Sequence, residues 1–283
     1  MGPRIKVGAP IEGRAMLSVY NLCKTFDGIR AVDNVSLKIQ TGTITGLIGP
    51  NGAGKTTLFN VIAGHYQPSA GQVFLDGKDI TGAAPHVLFQ KGMLRTFQLA
   101  HEFSSLTVRE NLMMVPPKQS GESLIQVWLS PSKVRAEEEL IHQRANDVIE
   151  FLEIAHLADE YAGNLSGGQK KLLELGRTMM TDAKIVFLDE VGAGVNRSLL
   201  GRIGDMILRL NKERNYTFCM IEHDMKFIAR MCNPVIVMAE GQVLAEGSAK
   251  EIQANNDVIE AYLGTGQKNT AYPKNQQNVQ SKS

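Results

Sequence analysis

The sequence has few cysteines, no long apolar run and almost no excess of charge of either sign. Its 283 residues include only three cysteines, which are widely spaced. This odd, scattered set indicates neither a disulfide framework nor a zinc site, and it favours a reducing compartment. The longest apolar runs, such as residues 235–239, are far shorter than the ~20 residues of a membrane span. Because the first residues also lack an apolar secretory stretch, we expect neither a membrane-embedded nor a secreted chain.

The charge is nearly balanced overall but differs between the ends and the middle. The formal net charge of +1 is too small to predict nucleic-acid binding. Residues 1–15 carry three basic side chains and one acidic one, and residues 266–283 carry three lysines and no acid. We expect an N-terminal extension over 1–15, one domain over 16–265 and a disordered polar tail over 266–283, which has too few apolar residues to offset the entropy of ordering.

Apolar patterning predicts an α/β fold. Three short apolar runs, 44–49, 184–190 and 216–223, are typical of buried parallel strands. Residues 135–155 have apolar side chains at helical spacing, which predicts an amphipathic helix. We therefore expect an α/β core with a helical section inserted over about 99–175.

Shorter alternating runs predict antiparallel strands around this core. They lie at 17–22, 34–39, 72–77 and 235–247, and the last contains the dipeptide Glu240-Gly241, which favours a hairpin turn. Since three of these four runs lie near the N-terminus, we expect an antiparallel β element there.

The strongest motif is a phosphate-binding loop at residues 49–57. GPNGAGKTT matches G-x-x-x-x-G-K-[ST], follows a predicted strand and opens a predicted helix. Glycines let backbone N–H groups surround phosphate oxygens, and the helix N-terminus favours an anion. Lys55 would neutralise the β- and γ-phosphates, and the Thr56 hydroxyl would ligate Mg²⁺. A chance glycine-rich turn is the alternative; the loop by itself is shared by kinases, GTPases, motors and transport ATPases.

An apolar strand ending in two carboxylates predicts the other half of a phosphoryl-transfer site. Asp189 and Glu190 follow the run 185–188. In a parallel sheet this end of a strand reaches the ligand-binding edge. Asp189 would hold Mg²⁺ through water, and Glu190 would polarise the attacking water as a general base. A solvated acidic pair is the alternative interpretation.

A second anion-binding helix start is predicted at residues 165–169, LSGGQ. Ser166 is a favourable N-cap, and the glycines leave N–H groups open to an anion. A capped helix with a glycine-rich entry is the simpler interpretation of these residues alone. Because one γ-phosphate needs only one such loop, this helix start could serve a nucleotide bound to another subunit.

GPNGAGKTT, LSGGQ and FLDE, in this order, resemble the ATP-binding subunit of ABC transporters, with further matches over nearly all of 17–264. The resemblance implies a P-loop NTPase core of the ABC type, with an N-terminal antiparallel β subdomain and an inserted α-helical subdomain, and an ATPase that uses ATP and Mg²⁺. It implies ATP binding by eight residues: Phe26, Gly49, Asn51, Gly52, Gly54, Lys55, Thr56 and Thr57. Phe26 would be the aromatic residue that stacks on adenine, with a core phenylalanine as the alternative, and His223 would contact the γ-phosphate.

The same resemblance implies further roles. Gln98 resembles the glutamine that senses Mg²⁺ and touches the membrane subunit. The implied Mg²⁺ ligands are Thr56, Gln98 and Asp189. The implied catalytic residues are Glu190, His223 and Gln98. Asn196 resembles a residue of the loop that contacts the opposite monomer. The implied contact with the partner's ATP comes from Ser166, Gly167, Gly168 and Gln169.

Within the family the chain most resembles the branched-chain amino-acid import ATPases of the Liv type, on the segments RTFQ, AGVN, IEHDM and VIEAYLG. Urea or short-amide import and lipopolysaccharide export are the alternatives. The family's usual proline after the catalytic glutamate is Val191 here, and Asn196 replaces the commoner aspartate, as it does in the Liv type.

The resemblance implies a peripheral subunit on the cytoplasmic side of the inner or plasma membrane. Its implied partners are a second ABC ATPase subunit, in a homodimer or heterodimer, two transmembrane permeases and, indirectly, a substrate-binding protein. A non-transport ABC binding module is a second hypothesis, but such proteins usually carry long coiled coils or two cassettes. A catalytically dead nucleotide sensor is a third, and the full set of expected catalytic groups argues against it.

Overall fold

The computed structural model describes residues 14–96, 102–117, 119–122 and 128–267. Its strands are β1 Ala15–Phe26, β2 Ile29–Gln40, β3 Ile44–Ile48, β4 Ala70–Leu75, β5 Lys78–Asp79, β6 Met93–Arg95, β7 Ile185–Asp189, β8 Thr217–Ile221, β9 Val235–Ala239 and β10 Gln242–Gly247. Its α-helices are α1 Lys55–Ile62, α2 Pro85–Gln90, α3 Val108–Met113, α4 Pro131–Phe151, α5 Gly167–Met179, α6 Arg197–Arg214, α7 Met225–Met231, α8 Ala249–Gln253 and α9 Asn256–Gln267.

A six-stranded sheet forms the centre of the α/β core. Its order is β10-β9-β3-β8-β7-β6, and all neighbours are parallel except β10, which runs antiparallel to β9. The three predicted buried strands are confirmed as β3, β7 and β8, and every residue in them is buried. Such strands need apolar side chains on both faces because layers cover both sides of the sheet.

The antiparallel element near the N-terminus is also confirmed. A four-stranded sheet has the order β2-β1-β4-β5 with antiparallel pairing throughout. Asp27 and Gly28 both have positive φ in the turn between β1 and β2, as a tight hairpin requires. This sheet and α1 pack on one face of the central sheet, against alternate residues such as Ile185 and Phe187, while Val186 and Leu188 face the helical side.

Two local predictions need correction. The predicted hairpin with its Glu240-Gly241 turn is present, but β9 also pairs in parallel with β3 and is largely buried, so the alternation expected for it is wrong. The helix predicted over 135–155 is α4, which begins at Pro131 and ends at Phe151. Proline is favoured in the first turn of a helix because its missing N–H has no partner there.

Helices occupy most of the described residues between the central sheet's edge strand β6 and strand β7. α3, α4 and α5 bury apolar side chains in one cluster with the sheet. Residue limits for the domain and its helical section stay predictions, and residues 1–13 and 268–283, which hold most of the expected extension and tail, lie outside the described residues. In the described part of the chain, no helix combines the length and the apolar character needed to cross a membrane.

Candidate active site

The phosphate loop joins β3 to α1 through backbone conformations that need glycine. A Cβ atom on Gly49 would lie 2.1 Å from the Met238 carbonyl oxygen, and one on Gly54, whose φ is +93°, would lie 2.3 Å from the Ala31 carbonyl oxygen. Gly54 is also the N-cap of α1, with no side-chain cap hydrogen bond. Because the first N–H groups of a helix have no partner within it, this end is suited to bind an anion.

Lys55 holds its ammonium group within the loop. The side chain is 6% exposed, and Nζ donates hydrogen bonds to the carbonyl oxygens of Gly49 at 2.7 Å and Pro50 at 2.9 Å. Burial lowers the pKa of Lys55, and the negative charges of Glu190 and Asp189 act in the opposite direction. The two hydrogen bonds thus place Nζ beside the loop, with acidic groups near it.

A pocket of about 220 Å³ lies in front of the loop. The loop forms one wall and the ends of β7 and β8 form the other, as expected where parallel strands end. Both predicted halves of the site thus meet in one cavity, which is lined by Ala31, Asn51, Gly52, Ala53, Gly54, Lys55, Thr56, Thr57, Glu190, Ile221 and His223.

Asp189 ends β7 with one carboxylate oxygen paired and the other unpaired. The side chain is 1% exposed, and Arg95 Nη2 donates to Oδ2 at 2.8 Å while Arg95 Nη1 bonds Asn60 of α1. Oδ1 is buried without a hydrogen-bond partner. An orphaned, buried carboxylate oxygen beside a phosphate loop fits a water-ligated Mg²⁺, which is usually held by one or two carboxylates and substrate phosphates.

Glu190 and His223 form a pair at the mouth of the pocket. Glu190 Oε1 lies 3.1 Å from His223 Nε2, and the side chains are 28% and 52% exposed. Glu190 has a φ of +50°, a conformation that costs energy for a residue with a side chain. Since His223 is half exposed and bonded to a pocket carboxylate, it is not a buried core histidine.

The second helix start lies apart from this pocket. Ser166 caps α5 in a reciprocal capping box with Gln169, and Asn196 caps α6 by accepting from the Leu199 N–H at 2.9 Å. Ser166, Gln169 and Asn196 line a separate pocket of about 230 Å³ that shares no residue with the first. One chain therefore does not bring its two predicted anion-binding ends together.

Two predicted site residues lie elsewhere. Phe26, at the end of β1, does not line the pocket; it is 38% exposed and makes an edge-on contact with Tyr66, with ring centroids 5.2 Å apart. Lys24 Nζ lies 4.7 Å from the centre of its ring, so Phe26 is a surface aromatic rather than a core one. Gln98 lies outside the described residues.

Sequence reasoning missed four residues that contact the site's backbone or carboxylates. Arg95 pairs with Asp189, and Lys171 Nζ donates to the Glu190 carbonyl oxygen at 3.0 Å. Glu222 is buried behind His223, and Tyr262 of α9 forms a hydrogen bond with the backbone of the first loop glycine. Only Glu222 had a signal in the sequence, a carboxylate directly after an apolar strand.

Family comparisons match two parts of the chain. The ABC transporter family matches residues 32–193, which include the phosphate loop, LSGGQ and both carboxylates at the end of β7, Asp189 and Glu190. The family described as branched-chain amino acid ATP-binding cassette transporter matches residues 242–268, which include β10, α8 and α9.

Individual relatives match over nearly their full length. The probable branched-chain amino acid transport ATP-binding protein LivG of Archaeoglobus fulgidus is 41% identical, covering 88% of this chain and 95% of LivG. The high-affinity branched-chain amino acid transport ATP-binding protein BraF of Pseudomonas aeruginosa is 38% identical, covering 89% and 98%. The crystal structure of an ATP-binding cassette of an ABC transporter in its ADP conformation is 37% identical with a TM-score of 0.75, covering 88% and 99%.

Proposed function

Because this chain belongs to the ABC transporter ATP-binding family, we propose that it is the ATP-hydrolysing subunit of an importer for branched-chain amino acids. The single observation that carries the catalytic part is the pocket in which the phosphate loop faces the Glu190–His223 pair. A cation at one wall and a carboxylate at the other are what phosphate binding and water activation need.

Lys55, the loop N–H groups and Thr56 bind the phosphates in this proposal. The ammonium group already lies in the loop, and exchanging a carbonyl oxygen for a phosphate oxygen strengthens its hydrogen bond through charge. Thr56 and Asp189, with Gln98 from the family resemblance, would hold Mg²⁺. When bound, Mg²⁺ would neutralise charge on the β- and γ-phosphates. The unpaired Asp189 Oδ1 supports this assignment.

Glu190 is the proposed general base. Its carboxylate lines the pocket and would accept a proton from the water that attacks the γ-phosphate. His223 holds that carboxylate through the 3.1 Å contact and faces the same pocket, so it can also bond the γ-phosphate. Both groups act from the ends of adjacent strands, which limits their relative movement.

A complete site requires two chains. Ser166 and Asn196 line a different pocket from Lys55, so the N-terminus of α5 is available to a nucleotide held by another subunit. We propose a head-to-tail dimer, of two such chains or of this chain and a similar one, in which the γ-phosphate is bound by Lys55 of one chain and by Ser166 and Gly168 of the other. Hydrolysis removes this link and shifts the pair towards the open state.

Mixing two inactive variants tests the composite site. Lys55→Met removes the loop cation, and Ser166→Arg places a bulky side chain at the α5 N-terminus; each variant alone is expected to lack ATPase activity. In a pair formed by one chain of each variant, one of the two sites has both Lys55 and Ser166. A mixture of the two variants should therefore recover part of the wild-type rate. ATPase activity measured against mixing ratio checks this. The control mixes Lys55→Met with the double variant Lys55→Met, Ser166→Arg, because no pair formed in that mixture has an intact site.

Absence of recovery, although both variants fold and one of them binds ATP, would contradict a homodimeric composite site. Recovery in the control mixture as well would show that the recovered activity does not come from a site shared between the two chains.

The match over residues 242–268 supports amino-acid import as the cargo class. That segment contains α9, which packs near the phosphate loop through Tyr262. LivG and BraF are both branched-chain amino acid transport proteins by name, and no corresponding observation favours urea, amide or lipopolysaccharide transport.

Membrane permeases are the proposed partners on the cytoplasmic side. A largely apolar groove of about 380 Å³ lies between α2, β6 and α5, and Thr96 is among the residues that line it. Phe89 and Val115 contribute partly buried apolar surface to it. An apolar groove of this kind suits a helix end from a membrane subunit. A substrate-binding protein would act on those subunits rather than on this chain.

A further inference from the structure

The turn that carries Glu190 is held from behind by a second, buried carboxylate. Glu190 begins the turn after β7, and its N–H donates to the Ile221 carbonyl oxygen at 3.0 Å. This bond fixes the start of the turn against the end of β8. Val191, which follows, has none of the φ restriction that a proline would impose there. The rest of the turn therefore depends on other contacts for its position.

Within the turn the Ala193 N–H donates to the Glu190 carbonyl oxygen at 3.1 Å, and Glu222 supplies contacts from outside it. The Glu222 side chain is 6% exposed; Oε1 accepts the Gly192 N–H at 2.7 Å, and Oε2 accepts the His223 N–H at 3.3 Å. One rigid carboxylate thus joins the turn of the general base to the backbone of the histidine that pairs with it. Burial raises the pKa of Glu222, while these two N–H groups and the positive charge of Lys171 favour its ionised form.

Lys171 also contacts this turn. It lies in the first turns of α5, directly behind Ser166–Gln169, and its Nζ donates to the Glu190 carbonyl oxygen at 3.0 Å. The helix whose N-terminus is proposed to contact the partner's nucleotide is therefore bonded to the backbone of this chain's own general base.

Burying a carboxylate is unfavourable, and an apolar side chain of similar volume would fill the same space at lower cost. A packing role alone does not account for a buried acid whose two oxygens each accept from a catalytic turn. A positioning role does, since a shift of about 1 Å in a reacting group can cost about 100-fold in rate.

We propose that Glu222 is a positioning residue for ATP hydrolysis, which fixes the position of Glu190 relative to His223. Lys171 in turn couples the Glu190 turn to the N-terminus of α5. The inference rests on the proposed function, in which Glu190 is the general base. In the described residues, neither side chain lines the phosphate pocket. We therefore expect substitutions of both residues to change the turnover rate rather than the affinity for nucleotide.

Two Glu222 variants test the proposal in the full-length chain. Glu222→Leu fills the space but accepts neither N–H, and it is expected to lower kcat about 10- to 100-fold while the KM for ATP stays within about twofold. Glu222→Gln keeps one carbonyl oxygen and should recover part of kcat. Glu246→Leu is the control for replacing a carboxylate by leucine, because Glu246 is an exposed residue of β10, away from both turns.

Lys171→Met and Lys171→Arg test the second half. Methionine keeps the apolar stem without the donor, and several-fold loss of kcat is expected; arginine keeps a donor and should restore part of it. Lys184→Met is the control for loss of a lysine, because Lys184 is half exposed and its ion-pair partner is Asp76, outside the candidate site. These variants keep the test decisive if Glu222→Leu does not fold.

Wild-type kcat in Glu222→Gln and in Lys171→Met would overturn the proposal. So would a parallel loss of kcat, ATP affinity and Tm that Glu246→Leu reproduces, because that pattern indicates a structural role only. Glu190→Gln, assayed alongside, distinguishes failure of the proposed function from failure of the positioning role of Glu222 and Lys171. If Glu190→Gln hydrolyses ATP normally, the assignment of the base fails; if it is inactive while the Glu222 and Lys171 variants are not, only this inference fails.

Discussion

Replacing Glu190 by glutamine is expected to abolish ATP turnover while ATP still binds. Glutamine has nearly the same shape and keeps an oxygen for His223 Nε2, but it cannot accept a proton from water. A general base contributes about 10²- to 10⁴-fold to a rate, so kcat should fall by at least about 100-fold. The phosphate loop and its lysine are untouched, and the dissociation constant for ATP should therefore stay within about twofold.

This variant should also remain in the closed pair. If hydrolysis is what breaks the link between Lys55 of one chain and Ser166 of the other, a chain that binds ATP without cleaving it accumulates as a dimer. Size-exclusion chromatography with ATP and Mg²⁺ checks this, and Glu213→Gln, an exposed carboxylate on α6, is the matched control. Wild-type hydrolysis by Glu190→Gln would remove Glu190 from the base role, whatever the oligomeric state.

Replacing Lys55 by methionine is expected to weaken nucleotide binding strongly. The ammonium group is the only side-chain cation among the described residues that line the phosphate pocket, apart from His223 when protonated. A hydrogen bond to a charged group contributes about 1.5–3 kcal/mol, so losing it should weaken ATP binding about 10- to 100-fold. The carbonyl oxygens of Gly49 and Pro50 also lose their donor, which should lower the Tm slightly.

Fluorescent nucleotide titration and thermal unfolding, measured on the same samples, check this result. Lys184→Met is the control, since it removes a half-exposed lysine whose partner is Asp76 in the turn between β4 and β5. ATP affinity equal to that of the wild type in folded Lys55→Met would contradict the phosphate-loop assignment. Loss of affinity in both variants would indicate a general effect of net charge.

Local sequence determines the phosphate loop, and this part of the site could be predicted. Gly49 and Gly54 are required because a Cβ atom at either position would lie 2.1 or 2.3 Å from a backbone carbonyl oxygen. The glycines of the motif therefore indicate the loop conformation directly. The parallel strands were equally predictable because the runs that form β3, β7 and β8 are largely apolar. Once these strands are adjacent, Glu190 and His223 must meet at one edge.

Contacts between distant segments could not be predicted. Lys171 lies 19 residues from Glu190, and Glu222 lies 30 residues from Gly192, with no local pattern that pairs them. Tyr262 reaches the phosphate loop only because α9 returns to the sheet beside β10. Helix ends were also uncertain, as at Pro131, because capping and packing decide them together.

Uptake by the reconstituted transporter tests the central claim most directly. The chain would be combined with its membrane subunits in lipid vesicles, with ATP on the side that this subunit faces and with the substrate-binding protein and labelled leucine on the other. We predict leucine accumulation that requires ATP and is lost in Glu190→Gln with the complex still assembled. ATP hydrolysis without uptake of any branched-chain amino acid, or uptake that persists in Glu190→Gln, would contradict the account.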